Sequence, residues 1–179
     1  MEQTKLPTLK EIESGELSEA GAHNALNVLL NQNPPTSWIK EHPMAAGVKY
    51  IPADKVEYLL TKIFIHWYVE VLNITQIANS VIVTVRLFYK NPFSEGYFHS
   101  DGIGANPIDT KKGSGAMDWN AVNRDSVMKA APAAETYAFK DAAEKIGRIF
   151  GKDLNRKDIM SYDLLLNDDR FKEAKLTEK

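Results

Sequence analysis

The eleven residues "SVIVTVRLFYK", Ser80 to Lys90, constrain the fold more than any other stretch. Successive side chains of a strand point to opposite faces. Val81, Val83, Val85, Leu87 and Tyr89 therefore share one side, and Ile82, Thr84, Arg86, Phe88 and Lys90 share the other. The first side is a core face. The second carries two cations among apolar neighbours. A strand of this kind needs partners, and the sequence supplies them on either side. "HWYVEVL" before it is β-branched and aromatic, "NPFSEG" after it is a turn, and "YFHSD" opens a third strand. Strands joined by short turns pair antiparallel.

Helical spacing frames the strands. "SEAGAHNALNVLLNQ" has Ser18 as a cap and an apolar stripe of Ala22, Ala25, Leu26, Leu29 and Leu30; "NPPTS" ends it. "YIPADKVEYLLTKIF" places Pro52 near a first turn and repeats Val56, Leu59, Leu60, Ile63 and Phe64 at helical spacing. Asp118 to Lys129 reads as a helical approach that Pro132 breaks or restarts. "AAETYAFKDAAEKIGRIF" is the longest helical pattern. Its apolar stripe is Phe139, Ala142, Ala143, Ile146, Ile149 and Phe150, and Gly151 suits a C-cap. The order predicts an α+β fold. Its core is antiparallel β-β-β-α, with a long helix packed on a three- to four-stranded sheet and an N-terminal helix added.

The 179 residues, 44% hydrophobic, suit one domain with a real core. The absence of cysteine rules out disulfides, thiolate metal sites and a Cys nucleophile, and fits a reducing cytosol. No apolar run reaches the roughly 18–20 residues of a membrane span, and the polar, acidic "MEQTKLPTLKEIESGE" is unlike a signal peptide.

The segment "FHSDGIGANPIDTKKGSG" invites nucleotide readings. A dinucleotide fingerprint fails because Pro107 stands where a third glycine belongs and no parallel βαβ unit surrounds it. A P-loop fails because no glycine precedes Lys-Ser or Lys-Thr. Gly102 and Gly104 read as a tight turn at the sheet edge, with Lys111 and Lys112 on a mobile loop beyond. His99 and Asp101 share a strand face and make a possible metal pair, but the chain has four histidines and no second cluster at ligand spacing. The bland reading is a pair that satisfies backbone groups. No cofactor is implied.

The cations carry more information. Lys140, Lys145, Arg148, Lys152, Arg156 and Lys157 outnumber Asp141, Glu144 and Asp153, a local excess of three in a chain of net charge −2. Tyr50, Tyr89, Phe93, Tyr97 and Phe98 lie between the basic segments. Cations neutralise phosphates, and bases stack on rings. The same residues also compose an ordinary solvated helix face with Lys140–Glu144 and Asp141–Lys145 pairs.

Taken in order, "VKYIPADKVEYLLTKIF…W", "VTVRLFYK…YFHSDGIG" and "AFKDAAEKIGRIFG" resemble the annealing domain of the Rad-fifty-two superfamily in its short phage form, the Sak-type annealing proteins. The resemblance covers roughly residues 37–158. With the polar ends read from the residues themselves, the chain divides into a loose segment 1–16, an annealing domain 17–160 and a polar tail 161–179. The resemblance implies a homo-oligomeric ring or arc that holds single-stranded DNA in a basic groove and pairs complementary strands without ATP or covalent chemistry. It further implies a place in the cytoplasm of a bacterial host, near the nucleoid, and a single-strand binding protein as a possible partner. By the family pattern the key helix lysine falls on Lys140, and its basic neighbours fall on Asp141 and Glu144, a departure that leaves Lys145, Arg148 and Lys152 to supply charge. Lys40 and Tyr50 match the segment before the second helix. Arg86 and Lys90 belong to the Val-Arg strand, and Lys90 with Lys111 or Lys112 would touch an outer strand of DNA. Two rivals remain. One is a self-assembling interaction module that has lost its groove. The other is a metal-dependent nuclease using His99 and Asp101.

Overall fold

A computed structural model describes residues 19–42, 45–93 and 95–157. Its centre is an antiparallel sheet of β3 (Trp67–Ile77), β4 (Ser80–Lys90) and β5 (Tyr97–Pro107), in the order β3-β4-β5. A two-stranded ribbon, β1 (Lys40–Glu41) and β2 (Lys49–Tyr50), stands apart. Among the described residues three α-helices complete the fold: α1 (Glu19–Leu30), α2 (Ala53–Phe64) and α3 (Arg124–Glu144). Ser18 and Ala22, named for the first helix, lie outside what is described of the backbone and of the side chains, respectively.

The alternation of β4 holds. Val83, Val85 and Leu87 are buried beneath α3, while Arg86 and Phe88 point to a face that no other described element covers. β3 runs five residues beyond the expected strand, through Ile77, and the register shifts between Val71 and Asn73. Ala78 turns the chain into β4 with φ at 53°. α2 buries Val56, Leu59, Leu60, Ile63 and Phe64, the expected stripe.

Two expectations about the β5–α3 layer need correction. Gly102 and Gly104 are not in a turn. β5 runs straight through both to Pro107. Their role is close approach: a Cβ on Gly102 would meet the Ala138 carbonyl and lie 2.5 Å from the Ala142 nitrogen, and one on Gly104 would meet the Ala134 carbonyl and the Ala138 nitrogen. Opposite them α3 presents Ala130, Ala134, Ala138 and Ala142, all fully buried at four-residue intervals. Small residues on both sides let the helix backbone settle directly on the strand. Ser100 Oγ adds a hydrogen bond to the Ala142 carbonyl at 2.7 Å.

The second correction concerns the ends of α3. Pro132 does not break it. The helix starts at Arg124, capped by the Asn123 side chain accepting from the Asp125 N–H, and passes through an exposed Pro132. It stops at Glu144, six residues short of Phe150. Gly147 sits against the Leu30 carbonyl, where a Cβ would come within 2.5 Å, and a separate short turn of Arg148–Phe150 follows. Gly151, at φ 105°, caps that turn rather than the long helix. Ile149 and Phe150 are still buried, because the turn delivers them to the same core.

Candidate nucleic-acid interface

Three segments distant in sequence meet beside α3. β1 and β2 pair with Lys40 opposite Tyr50. Tyr50 is half-buried and precedes Ile51, which anchors the ribbon in the core. From α3, Lys140 brings its ammonium 4.7 Å from the centre of the Tyr50 ring and 5.5 Å from that of Tyr137 one turn earlier. The negative face of each ring attracts the cation. Burial pulls the Lys140 pKa below its usual value, and the Glu144 carboxylate one turn on works the other way. Glu144 is itself held above the usual carboxylate range, first by burial and then by Asp141.

The ribbon is fixed from behind. The Asn155 side-chain amide makes two hydrogen bonds to Lys49, accepting from its N–H at 2.7 Å and donating to its carbonyl at 2.8 Å. The amide thus acts as a one-residue strand partner to β2. Lys40, opposite Tyr50 in the ribbon, and Lys140, over its ring, thus flank one tyrosine, while the exposed Lys49 side chain belongs to the other face of the ribbon. Such a cluster has the elements of a backbone-and-base site: ammonium groups for phosphate, a ring for stacking.

The other candidates are distributed differently. Arg86 lies on the open face of the sheet and donates from Nε and Nη2 to both oxygens of Asp101, at 2.6 and 2.8 Å. The pair holds the Asp101 carboxyl below the usual range and the guanidinium above its own. Asp101 is thereby committed to Arg86 rather than to a site with His99, and no three His, Cys, Asp or Glu side chains gather for a metal among the described residues. Lys145 bonds to Asp141 and to the Asp101 carbonyl. Arg148 is nearly buried, with Nε 3.1 Å from Asp153 Oδ2 and Nη2 donating to Asn33 at 3.2 Å. Lys152 is exposed just beyond Gly151.

Lys90 and the Lys111–Lys112 pair do not meet within one chain. Lys90 pairs with Tyr97 at one end of β5, and the loop leaves from the other end; ten residues of strand put them roughly 30 Å apart. The base of that loop is pinned, not free: Thr110 bridges Val122, and the Lys111 N–H donates to the Ala121 carbonyl at 2.8 Å.

Lys49, Tyr137 and Asn155 were not foreseen. Tyr137 could have been found, since it lies three residues before Lys140 on one helix face. Nothing in the spacing marks Asn155. No described helix is long and apolar enough to cross a membrane. No protein-family model and no curated protein matches the chain.

Proposed function

We propose that this chain is a self-assembling protein that binds single-stranded DNA and anneals complementary strands without ATP. One observation carries the reading: Lys40, Tyr50 and Lys140, matched to the annealing family from three separate segments, converge on one site. The mechanism is physical. Lysine ammonium groups neutralise the backbone of one strand, so that a second strand approaches without full phosphate repulsion. Tyr50 offers a stacking surface that every base fits, and so holds the strand without choosing a sequence. Bases left outward then test their register against the incoming strand. Asp141 and Glu144, which depart from the family pattern, do not act on this site equally: Asp141 is turned to β5, where it accepts from the Ile103 N–H, and Glu144, one turn from Lys140, favours the charged form of that lysine.

The test is binding of a fluorescent oligonucleotide at two salt concentrations, followed by annealing of complementary oligonucleotides without ATP. Lys140→Ala should weaken binding and reduce the salt slope by about 0.7, one phosphate contact on a single strand. Absence of binding at low salt would sink the reading. It would leave the second one, an interaction module without a groove. That reading is favoured by the occupation of Arg86, Lys145 and Arg148 with acidic partners.

A further inference from the structure

Outside its buried stripe, α2 carries Lys55, Tyr58 and Lys62 at i, i+3 and i+7, so the three share one face of the helix. Trp38, which closes the short turn Thr36–Trp38, lies against that face. Its ring meets the Tyr58 ring edge to face, with centres 5.8 Å apart and planes at 87°. Each ring also carries an ammonium. Lys55 Nζ lies 5.8 Å from the centre of Trp38, and Lys62 Nζ lies 5.8 Å from the centre of Tyr58. Tyr58 is 51% exposed. Cation and ring therefore alternate along the row Lys55, Trp38, Tyr58, Lys62.

This row runs on into the Tyr50 site. Ile39 is extended and Lys40 begins β1, so the side chains of Trp38 and Lys40 lie on the same side of the segment that joins them. Lys40 is opposite Tyr50, and directly opposed residues of an antiparallel pair point to one face. Charge marks the same junction. The Asp54 carboxyl, in the first turn of α2, is held below its usual range first by hydrogen bonding to Lys55, 3.1 Å away, and also by the charge of Lys40. Lys40 and Lys55 thus border one carboxylate, and Lys55 is the lysine over Trp38.

Two features separate this face from a solvated helix surface or a protein contact. On a solvated surface lysines pair with acids one turn away. Here Lys62 rests on a ring, and the Asp54 partner of Lys55 is 66% exposed, a pair of little worth. Protein–protein contacts draw on Trp and Tyr but are depleted of lysine, whereas single-strand sites use both, cations along the backbone and rings under the bases.

We infer that Trp38, Tyr58, Lys55 and Lys62 form a second contact for the bound DNA strand, which continues from Tyr50 over the outer face of α2. This inference rests on the nucleic-acid half of the reading above. A ring that carries a lysine is set for exchange. A base that stacks on Tyr58 takes the place of the Lys62 ammonium, and the ammonium moves to a neighbouring phosphate. Each stacked base then has a cation beside it, and neither contact reads sequence. Asp54 stands at the joint between the two halves, where Lys40 and Lys55 both offset its charge.

The test uses the full chain and an oligonucleotide whose thymines are replaced by iodouracil. Irradiation joins the halogenated base to a ring stacked on it, and mass spectrometry locates the adducts. Adducts are expected at Trp38 or Tyr58 as well as at Tyr50. Tyr58→Ala should weaken binding about 5- to 150-fold, and Tyr58→Phe should keep it. Lys62→Ala should reduce the salt slope by about 0.7. Tyr58 and Lys62 lie outside the core, so the circular dichroism of these variants should match the parent's. Adducts confined to Tyr50, or affinity and salt slope unchanged in Tyr58→Ala and Lys62→Ala, would overturn the inference and leave the annealing reading standing. A changed assembled mass for Tyr58→Ala at unaltered DNA affinity would overturn it in favour of a protein contact. Absence of binding by the parent at low salt would overturn both readings together.

Discussion

Replacing Gly102 by alanine adds one methyl group where α3 has left no room for it. Its Cβ would meet the Ala138 carbonyl, lie 2.5 Å from the Ala142 nitrogen, and lie 2.8 Å from the Ala142 Cβ. These are backbone atoms and a first side-chain carbon, so no rotamer change relieves the overlap. Either α3 lifts off β5 or the strand bends. Overpacking costs about 1–3 kcal/mol, and a clash with fixed backbone belongs at or above the upper end. Lifting the helix also uncovers the apolar contacts of Val83 and Val85, which lie under the same part of α3. About 3 kcal/mol is a large share of a total stability of roughly 5–15 kcal/mol. Urea unfolding followed by circular dichroism reads it directly: at a slope of about 1–3 kcal/mol per molar, the midpoint falls by about 1–3 M. The control is Gly115→Ala, a position with nothing within 4 Å and no positive φ, which should stay within about 0.5 kcal/mol of the parent. If Gly102→Ala unfolded at the parent's midpoint, the seam between β5 and α3 would not be as close as described, and the role assigned to the alanine column would fall with it.

Other outcomes follow from the same geometry. Phe150, only 1% exposed, should cost about 3–5 kcal/mol as Phe150→Ala in the same urea assay. Asp101, held below its ordinary 3.8 by Arg86, adds stability above that value and loses it as pH falls through the lower folded value. Urea midpoints from pH 5 to pH 2 should therefore fall less steeply for Asp101→Asn than for the parent; identical acid limbs would deny the pair any role. Tyr50→Ala should lower affinity for single strands by about 1–3 kcal/mol if a base stacks there, while Tyr50→Phe keeps it. Equal losses for both variants, read by fluorescence anisotropy, would shift the role from the ring to its hydroxyl.

The elements that could be read in advance are those whose evidence lies within one segment. The alternation of β4 and the stripe of α2 each record which side faces the core, because every residue of the element responds to the same neighbour. The glycines of β5 were misread for the opposite reason. Gly-x-Gly is equally at home in a turn or under a helix, and the deciding fact lies in another segment. The signal was present: alanines at 130, 134, 138 and 142 form a column of small residues that needs a close partner. The end of α3 was misplaced because apolar residues continue at helical spacing past Glu144; the stop is imposed by α1 against Gly147. In the candidate site, Lys40, Tyr50 and Lys140 were named one at a time, and nothing in their spacing says that they meet. In the sequence Asp141 only subtracts charge, since its backbone partner Ile103 lies on another element.

The amide of Asn155 has a consequence beyond holding β2 in place. It connects the last turn described in the chain to the ribbon that carries Tyr50, through two hydrogen bonds and little else that is polar. Two regions joined in this way are thermodynamically linked, and the linkage is reciprocal. Whatever grips Tyr50 and quiets the ribbon also quiets residues 151–157, by the same free energy with which an ordered turn favours the gripped ribbon. The stretch after Gly151 is therefore a reporter of occupancy at a site it does not line. A protease working on 151–157 would be slowed by a bound strand, and a cut there would loosen the site while leaving the sheet and its alanine seam intact.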